Sequence, residues 1–257
     1  MSDDAILLHV SDGLARITLN RPHRMNAVDP AAIERWRDIA REVAARDDIR
    51  AVVLDAAGRA FCAGGDVRAM DELAGQTDAA GRTITALADV IHEGHLLLRD
   101  SAKPIVAAVQ GPVAGGGLGF MLVADLVVAS DRATFSSRYS DIGLTPDCGV
   151  SWLLPEAVGT RRALELVLTP RTLTAAEALD WGLVTEVVPA DSLAGRVDEL
   201  ARTWLDGATA AFGEAKRLVH AARERPFAVS LDDEAVTIGR SFETPEAQAR
   251  IAAFTSR

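Results

Sequence analysis

Nine residues, Gly111-Pro112-Val113-Ala114-Gly115-Gly116-Gly117-Leu118-Gly119, separate two apolar runs, Pro104 to Val109 and Phe120 to Val128. The first run reads as a buried strand. The second reads as a helix start followed by another strand. Glycines at a strand-to-helix junction let the backbone approach a ligand closely. They also leave the first N–H groups of the helix without intrahelical partners. Such a junction suits a phosphate, or the negative oxygen of an enolate.

The same arrangement occurs earlier in the chain. Ala51 to Leu54 is a short apolar strand that leads into Gly58-Arg59-Ala60-Phe61-Cys62-Ala63-Gly64-Gly65-Asp66 and then a short helix. The two units lie about fifty residues apart and differ in sequence, so they form an architectural repeat, not a solenoid of matched repeats. Before them, Ala5 to Val10 and Leu14 to Asn20 flank Ser11-Asp12-Gly13, which predicts a hairpin. Arg21 to Asn26 is a polar loop. Asp29-Pro30 predicts a helix start, with Ile33, Trp36, Ala40 and Val43 on its inner face. Residues 75–81 are small and polar. A helix follows from near Thr83, and helices or short strands continue to Val188. From Leu193 the pattern is helical throughout. Alternating strands and helices with a helical end predict an α/β fold. The expected division is a core at residues 1–192 and an all-helical oligomerisation region at residues 193–257.

The net charge of −10 argues against a general nucleic-acid binder. No apolar run is long enough for a membrane span. Met1-Ser2-Asp3-Asp4 lacks the basic-then-apolar pattern of a signal peptide, so a cytoplasmic protein is expected. Cys62 and Cys148 provide neither a disulfide framework nor a metal quartet, and His92 and His95 lack a third ligand at metal spacing. No metal is expected.

The chain resembles the crotonase superfamily, the enoyl-CoA hydratase/isomerase family. The resemblance rests on segments in order: Arg24-Met25-Asn26-Ala27, Ala60 to Asp66, Lys103 to Gly111, Ala114 to Gly117, Ile142-Gly143-Leu144-Thr145-Pro146-Asp147 and Trp181-Gly182-Leu183-Val184. It covers about Ile6 to Phe254. It implies a spiral of ββα units with a C-terminal helical region, assembled as a homotrimer or a dimer of trimers. The implied substrate is an acyl-CoA thioester, so coenzyme A belongs to the substrate and no separate cofactor is expected. The thioester oxygen would become an enolate held by the N–H groups of Ala63 and Gly116. Arg24, Ala63, Gly64 and Asp66 would bind the CoA portion. Tyr139, Gly119, Met70 and Trp152 would line the acyl pocket.

The acid/base groups set the reaction. Hydratases of this family use two glutamates, which suits water activation coupled to carbon protonation. Those positions read Gly119 and Tyr139 here. Asp147 stands where the one-carboxylate isomerases carry their catalytic acid. There it would shuttle a proton from C2 to C4 of a 3-enoyl-CoA. Two alternatives remain. In the family's 4-chlorobenzoyl-CoA dehalogenases an aspartate at this position is a nucleophile, and His95 lies near the place of their water-activating histidine. Loss of both glutamates would also suit a non-catalytic CoA-binding protein.

Overall fold

The computed structural model describes residues 4–75 and 79–256; part of the polar stretch at 75–81 and the first three residues lie outside them. The predicted hairpin forms from β1 (Ile6–Ser11) and β2 (Leu14–Leu19), paired antiparallel with Ile6 opposite Leu19. Helix α1 (Pro30–Ala45) starts as its sequence requires. The Asp29 carboxylate accepts from the Ala32 N–H, and Pro30 occupies the first helical position. Trp36, Ile39, Ala40 and Val43 of α1 are fully buried.

Strand β3 (Ala51–Ala56) then pairs parallel to β2. Helices α2 (Val67–Ala74) and α3 (Ala80–Asp100) follow, with α3 packed along α1. Strand β4 (Ile105–Val109), strand β5 (Val113–Ala114) and helix α4 (Gly117–Leu122) form the next turn. Strand β6 (Leu126–Ser130), strand β7 (Thr134–Ser136) and helix α5 (Val150–Val158) form another. Helix α6 (Thr160–Leu168), strand β8 (Thr172–Thr174), helix α7 (Ala175–Trp181) and strand β9 (Glu186–Val188) complete this part. A capping box from Thr174 and Glu177 starts α7, and Gly182 at φ 80° ends it.

Two sheets result. The larger has the order β1-β2-β3-β4-β6-β9 and is parallel after the hairpin. The smaller has the order β5-β7-β8. Cys62 extends it through a parallel bridge to Val113. Each turn thus contributes one strand to each sheet and then a helix, which is the expected ββα spiral. The short strands β5, β7 and β8 were not legible, because two or three residues are too few to display a period of two.

The boundary expected at residue 193 cuts through a shared core. Helix α8 (Leu193–Asp206) lays Leu193, Val197, Ala201 and Trp204 against Ala51, Val53, Val106 and Val128 of the large sheet. What extends beyond the spiral is α9 (Thr209–Ala222), α10 (Phe227–Phe242) and α11 (Pro245–Thr255). Buried Lys216 pins α9 to the core. Its ammonium bonds the Lys103 carbonyl at 2.9 Å and pairs with Asp125 at 3.2 Å.

Candidate active site

The two glycine loops meet face to face. Gly64 has φ +86°, and a Cβ there would lie 2.9 Å from the Gly116 nitrogen and 3.0 Å from the Ala114 carbonyl. Only glycine permits both the angle and the approach. Gly117 is pressed closer still, since a Cβ there would run into the Cys62 carbonyl oxygen.

A clasp from the preceding loop holds this arrangement. Asn26 is buried and donates to the carbonyls of Ala57 at 2.9 Å and Ala60 at 2.8 Å, while its Oδ1 accepts from the Arg21 N–H. The Arg21 guanidinium bonds the Ala27 carbonyl and pairs with Asp29 at 2.8 Å and Asp66 at 3.2 Å. Asp66 caps α2 by accepting from the Arg68 N–H. Burial alone would raise the Asp66 carboxyl, but the Arg21 bond and charge outweigh it and hold the group below the usual carboxylate range.

This geometry corrects one expectation about the donors. The Ala63 N–H is already spent on the Met25 carbonyl at 3.0 Å. It cannot also hold an oxyanion. Two residues on, the Gly65 bridge to Val28 uses the Gly64 carbonyl and the Asp66 N–H. The Gly65 N–H itself has no hydrogen bond among the described residues, and neither has that of Gly116. Gly65 and Gly116 therefore both present free N–H groups where the loops meet. Sequence alone could not choose between neighbouring amides, because the choice depends on the register of one bridge. Asp66 is corrected as well: its side chain caps and pairs, and its N–H bonds Val28. The Ala63 carbonyl accepts nothing among the described residues and stays available to a ligand. The Gly64 carbonyl is taken by Val28. Arg24 ends a short 3-10 turn and enters no ion pair among the described residues.

Asp147 lies beside the loops. A Cβ on Gly116 would be 3.5 Å from Asp147 Oδ1 and 3.0 Å from Cys148 Sγ. The carboxylate is not spent on capping α5, whose N-cap is Gly149 at φ 74° with no side-chain cap. The next residue, Cys148, adopts φ 51° in a left-handed turn ahead of α5.

Tyr139 is not a pocket wall. It is buried and donates its hydroxyl to Asp147 Oδ1 at 2.6 Å. Burial comes first, and the neighbouring Cys148 and Asp147 add to it, in pushing its phenol far above the ordinary value. It stays a donor. Gly119 is no pocket residue either, because a Cβ there would run into the Cys148 carbonyl and lie 2.6 Å from the Cys148 Cβ.

Two clefts share Asp147. The first, of about 370 Å³, runs between α1, α2 and α3 past Gly65, Met70, Ile84, Leu87 and Ile91. Met70 lines it as expected. The second, of about 450 Å³, is lined by Trp152, Leu153 and Pro146 on one side and by His95 and Arg99 on the other. Trp152 lies here, stacked by the Arg99 guanidinium 4.6 Å from its ring centroid. His95 is buried, and its Nδ1 accepts from Trp36 Nε1 at 3.0 Å. Burial pushes it down to about 3, with a smaller contribution from His92. Among the described residues no cluster of three metal-ligating side chains occurs, and no helix is long and apolar enough to cross a membrane.

Free backbone donors facing a carboxylate across an apolar cleft suit carbon-acid chemistry on a thioester. Similarity to known proteins points the same way. The 1,2-epoxyphenylacetyl-CoA isomerase of Escherichia coli (strain K12) is 34% identical over 232 residues, covering 89% of this chain and 87% of that protein. A 4-chlorobenzoyl coenzyme A dehalogenase from an Arthrobacter species is 33% identical over 258 residues, covering 100% of this chain and 92% of the relative. A crystal structure of an enoyl-CoA hydratase from Mycobacterium smegmatis superposes with a TM-score of 0.90 at 26% identity, covering 98% of this chain and 96% of the other. The family pattern described as enoyl-CoA hydratase/isomerase matches residues 9–257. The chain belongs to the enoyl-CoA hydratase/isomerase family, the crotonase superfamily, and is an acyl-CoA enzyme of that group.

Proposed function

We propose that the protein isomerises 3-enoyl-CoA to 2-enoyl-CoA by a single-carboxylate proton shuttle. The observation that carries this is the Asp147 carboxylate beside Gly116, in the lining of both clefts. The thioester oxygen sits between the Gly65 and Gly116 N–H groups. Asp147 removes the C2 proton, the donors hold the dienolate, and the same carboxyl returns the proton at C4. Each backbone donor contributes about 10²–10³ in rate, since it is fixed before charge develops. The CoA portion meets the surface near Arg24 and the Ala63 carbonyl.

Hydration fits poorly. It needs a second carboxylate, and the Gly119 position has no room for any side chain against Cys148. Dehalogenation needs a histidine that takes a proton from water. Trp36 can only donate, so His95 Nδ1 is the bare nitrogen and Nε2 carries the hydrogen. Nδ1 is engaged by Trp36 and Nε2 carries the hydrogen, so neither nitrogen is free to act as the base. The isomerase name of the Escherichia coli relative supports the choice.

The test is turnover of a 3-enoyl-CoA, a 2-enoyl-CoA and 4-chlorobenzoyl-CoA side by side. Reaction of the 3-enoyl-CoA alone is expected. Comparable hydration of the 2-enoyl-CoA, or release of halide, overturns the assignment. Binding without any turnover favours a non-catalytic role.

A further inference from the structure

Helix α3 runs through both clefts. Thr83, Ile84, Leu87, Ala88 and Ile91 line the first, and His92, His95, Leu96 and Arg99 line the second. Asp147 lines both, so the reaction centre stands where they join, beside the step from Ile91 to His92. The first cleft leads away from it along two turns of α3, about 12 Å from Ile91 to Thr83. Gly65, with its free N–H, lines this cleft and not the second. A thioester oxygen held at Gly65 therefore has its acyl carbons at the opening of the first cleft.

The walls of this cleft are apolar. Helix α2 contributes Ala69, Met70 and Leu73, α1 contributes Ile33, and α3 adds Ile84, Leu87 and Ile91. The Met70 methyl rests against Gly65, where a Cβ would run into it. The charged side chains of the lining are all of one sign. They are Asp29, Asp66, Glu72 and Asp147, with no Lys, Arg or His among the described residues. Asp29 and Asp66 are spent on helix caps and on Arg21.

We infer that the first cleft takes the tail of the acyl group, and that this tail is a neutral hydrocarbon, a terminal carboxylate being rejected. Its length follows from the cleft. Tetrahedral carbons joined by bonds of about 1.52 Å advance about 1.25 Å each, so about 12 Å holds roughly nine or ten of them. The inference rests on the acyl-CoA assignment and goes beyond it by naming the length and charge of the acyl class. Each methylene leaves water for an apolar wall. A carboxylate at the end of the tail would lose its water and find carboxylates of the same sign in place of a partner.

The experiment uses saturated thioesters, which cannot undergo the proton shuttle. Binding of butyryl-, hexanoyl-, octanoyl- and octanedioyl-CoA to the full chain is measured by calorimetry. Affinity should rise about fourfold per methylene, or about 10²-fold from butyryl-CoA to octanoyl-CoA. Octanedioyl-CoA should bind at least about 10-fold more weakly than octanoyl-CoA. Leu87→Trp fills the first cleft and should erase most of the octanoyl-to-butyryl ratio, a quantity that a general loss of folded protein would not move. Leu96→Trp, in the second cleft, should keep that ratio. A flat series overturns the inference, as does octanedioyl-CoA binding as tightly as octanoyl-CoA. So does a ratio that survives Leu87→Trp or is lost in Leu96→Trp. Failure of all four thioesters to bind overturns the acyl-CoA assignment and this inference with it.

Discussion

The buried Tyr139 hydroxyl donates to Asp147 Oδ1 across 2.6 Å. One carboxylate oxygen is thereby engaged, and the other is left to exchange protons.

Tyr139→Phe removes this bond and little else. The carboxylate loses the bond that fixes its orientation, so kcat should fall about 10-fold. Turnover of the variant against wild type checks it. An unchanged kcat would mean that Tyr139 only fills space.

Gly64→Ala attacks the contact between the loops. The added methyl needs 2.9 Å from the Gly116 nitrogen at a backbone φ of +86°. Rate should fall by about 10²–10³ as the donors separate. The strain should also cost roughly 1–3 kcal/mol of stability. Parallel melting and turnover measurements separate the two effects.

His95 ties stability to pH. Its folded value is depressed to about 3 by burial, below the ordinary histidine value. The unfolded chain therefore binds more protons between the two, and stability falls as pH drops through about 6.5 toward 3. The full effect is on the order of 5 kcal/mol. His95→Gln should flatten denaturant-derived stability between about pH 6.5 and 4.5 relative to wild type. An unchanged slope would show that His95 does not titrate in this way.

Phe227 and Phe254 are each 78% exposed and Ile238 is 71% exposed, all on α10 and α11. These side chains are what a neighbouring subunit would cover in the assembly expected from the family resemblance. Sedimentation should find a trimer or a dimer of trimers, and Ile238→Glu should shift the distribution toward monomer. A monomer at about 10 µM wild-type chain would contradict the assembly expected from the family resemblance.

The sequence made the spiral legible because its glycine loops and capping signals are local. Asp29-Pro30, Thr174 with Glu177, and Gly182 each act within one turn of helix. Asp147 was found through its motif position and proved free of the helix cap. What stayed hidden depended on contacts distant in sequence. The Ala63 amide is spent on Met25, 38 residues earlier. The Tyr139 bond to Asp147 closes over eight residues of turn. The His95 bond to Trp36 spans two helices. No periodicity announces such pairs.

The most direct measurement is turnover of a 3-enoyl-CoA by Asp147→Asn beside wild type, with binding of a saturated acyl-CoA measured on both. The substitution keeps the shape of the side chain and removes its basicity. If Asp147 is the shuttle, kcat/KM falls by about 10²–10⁴ while binding stays within about threefold. Turnover within about tenfold of wild type, with the same product, would contradict the central role given to Asp147.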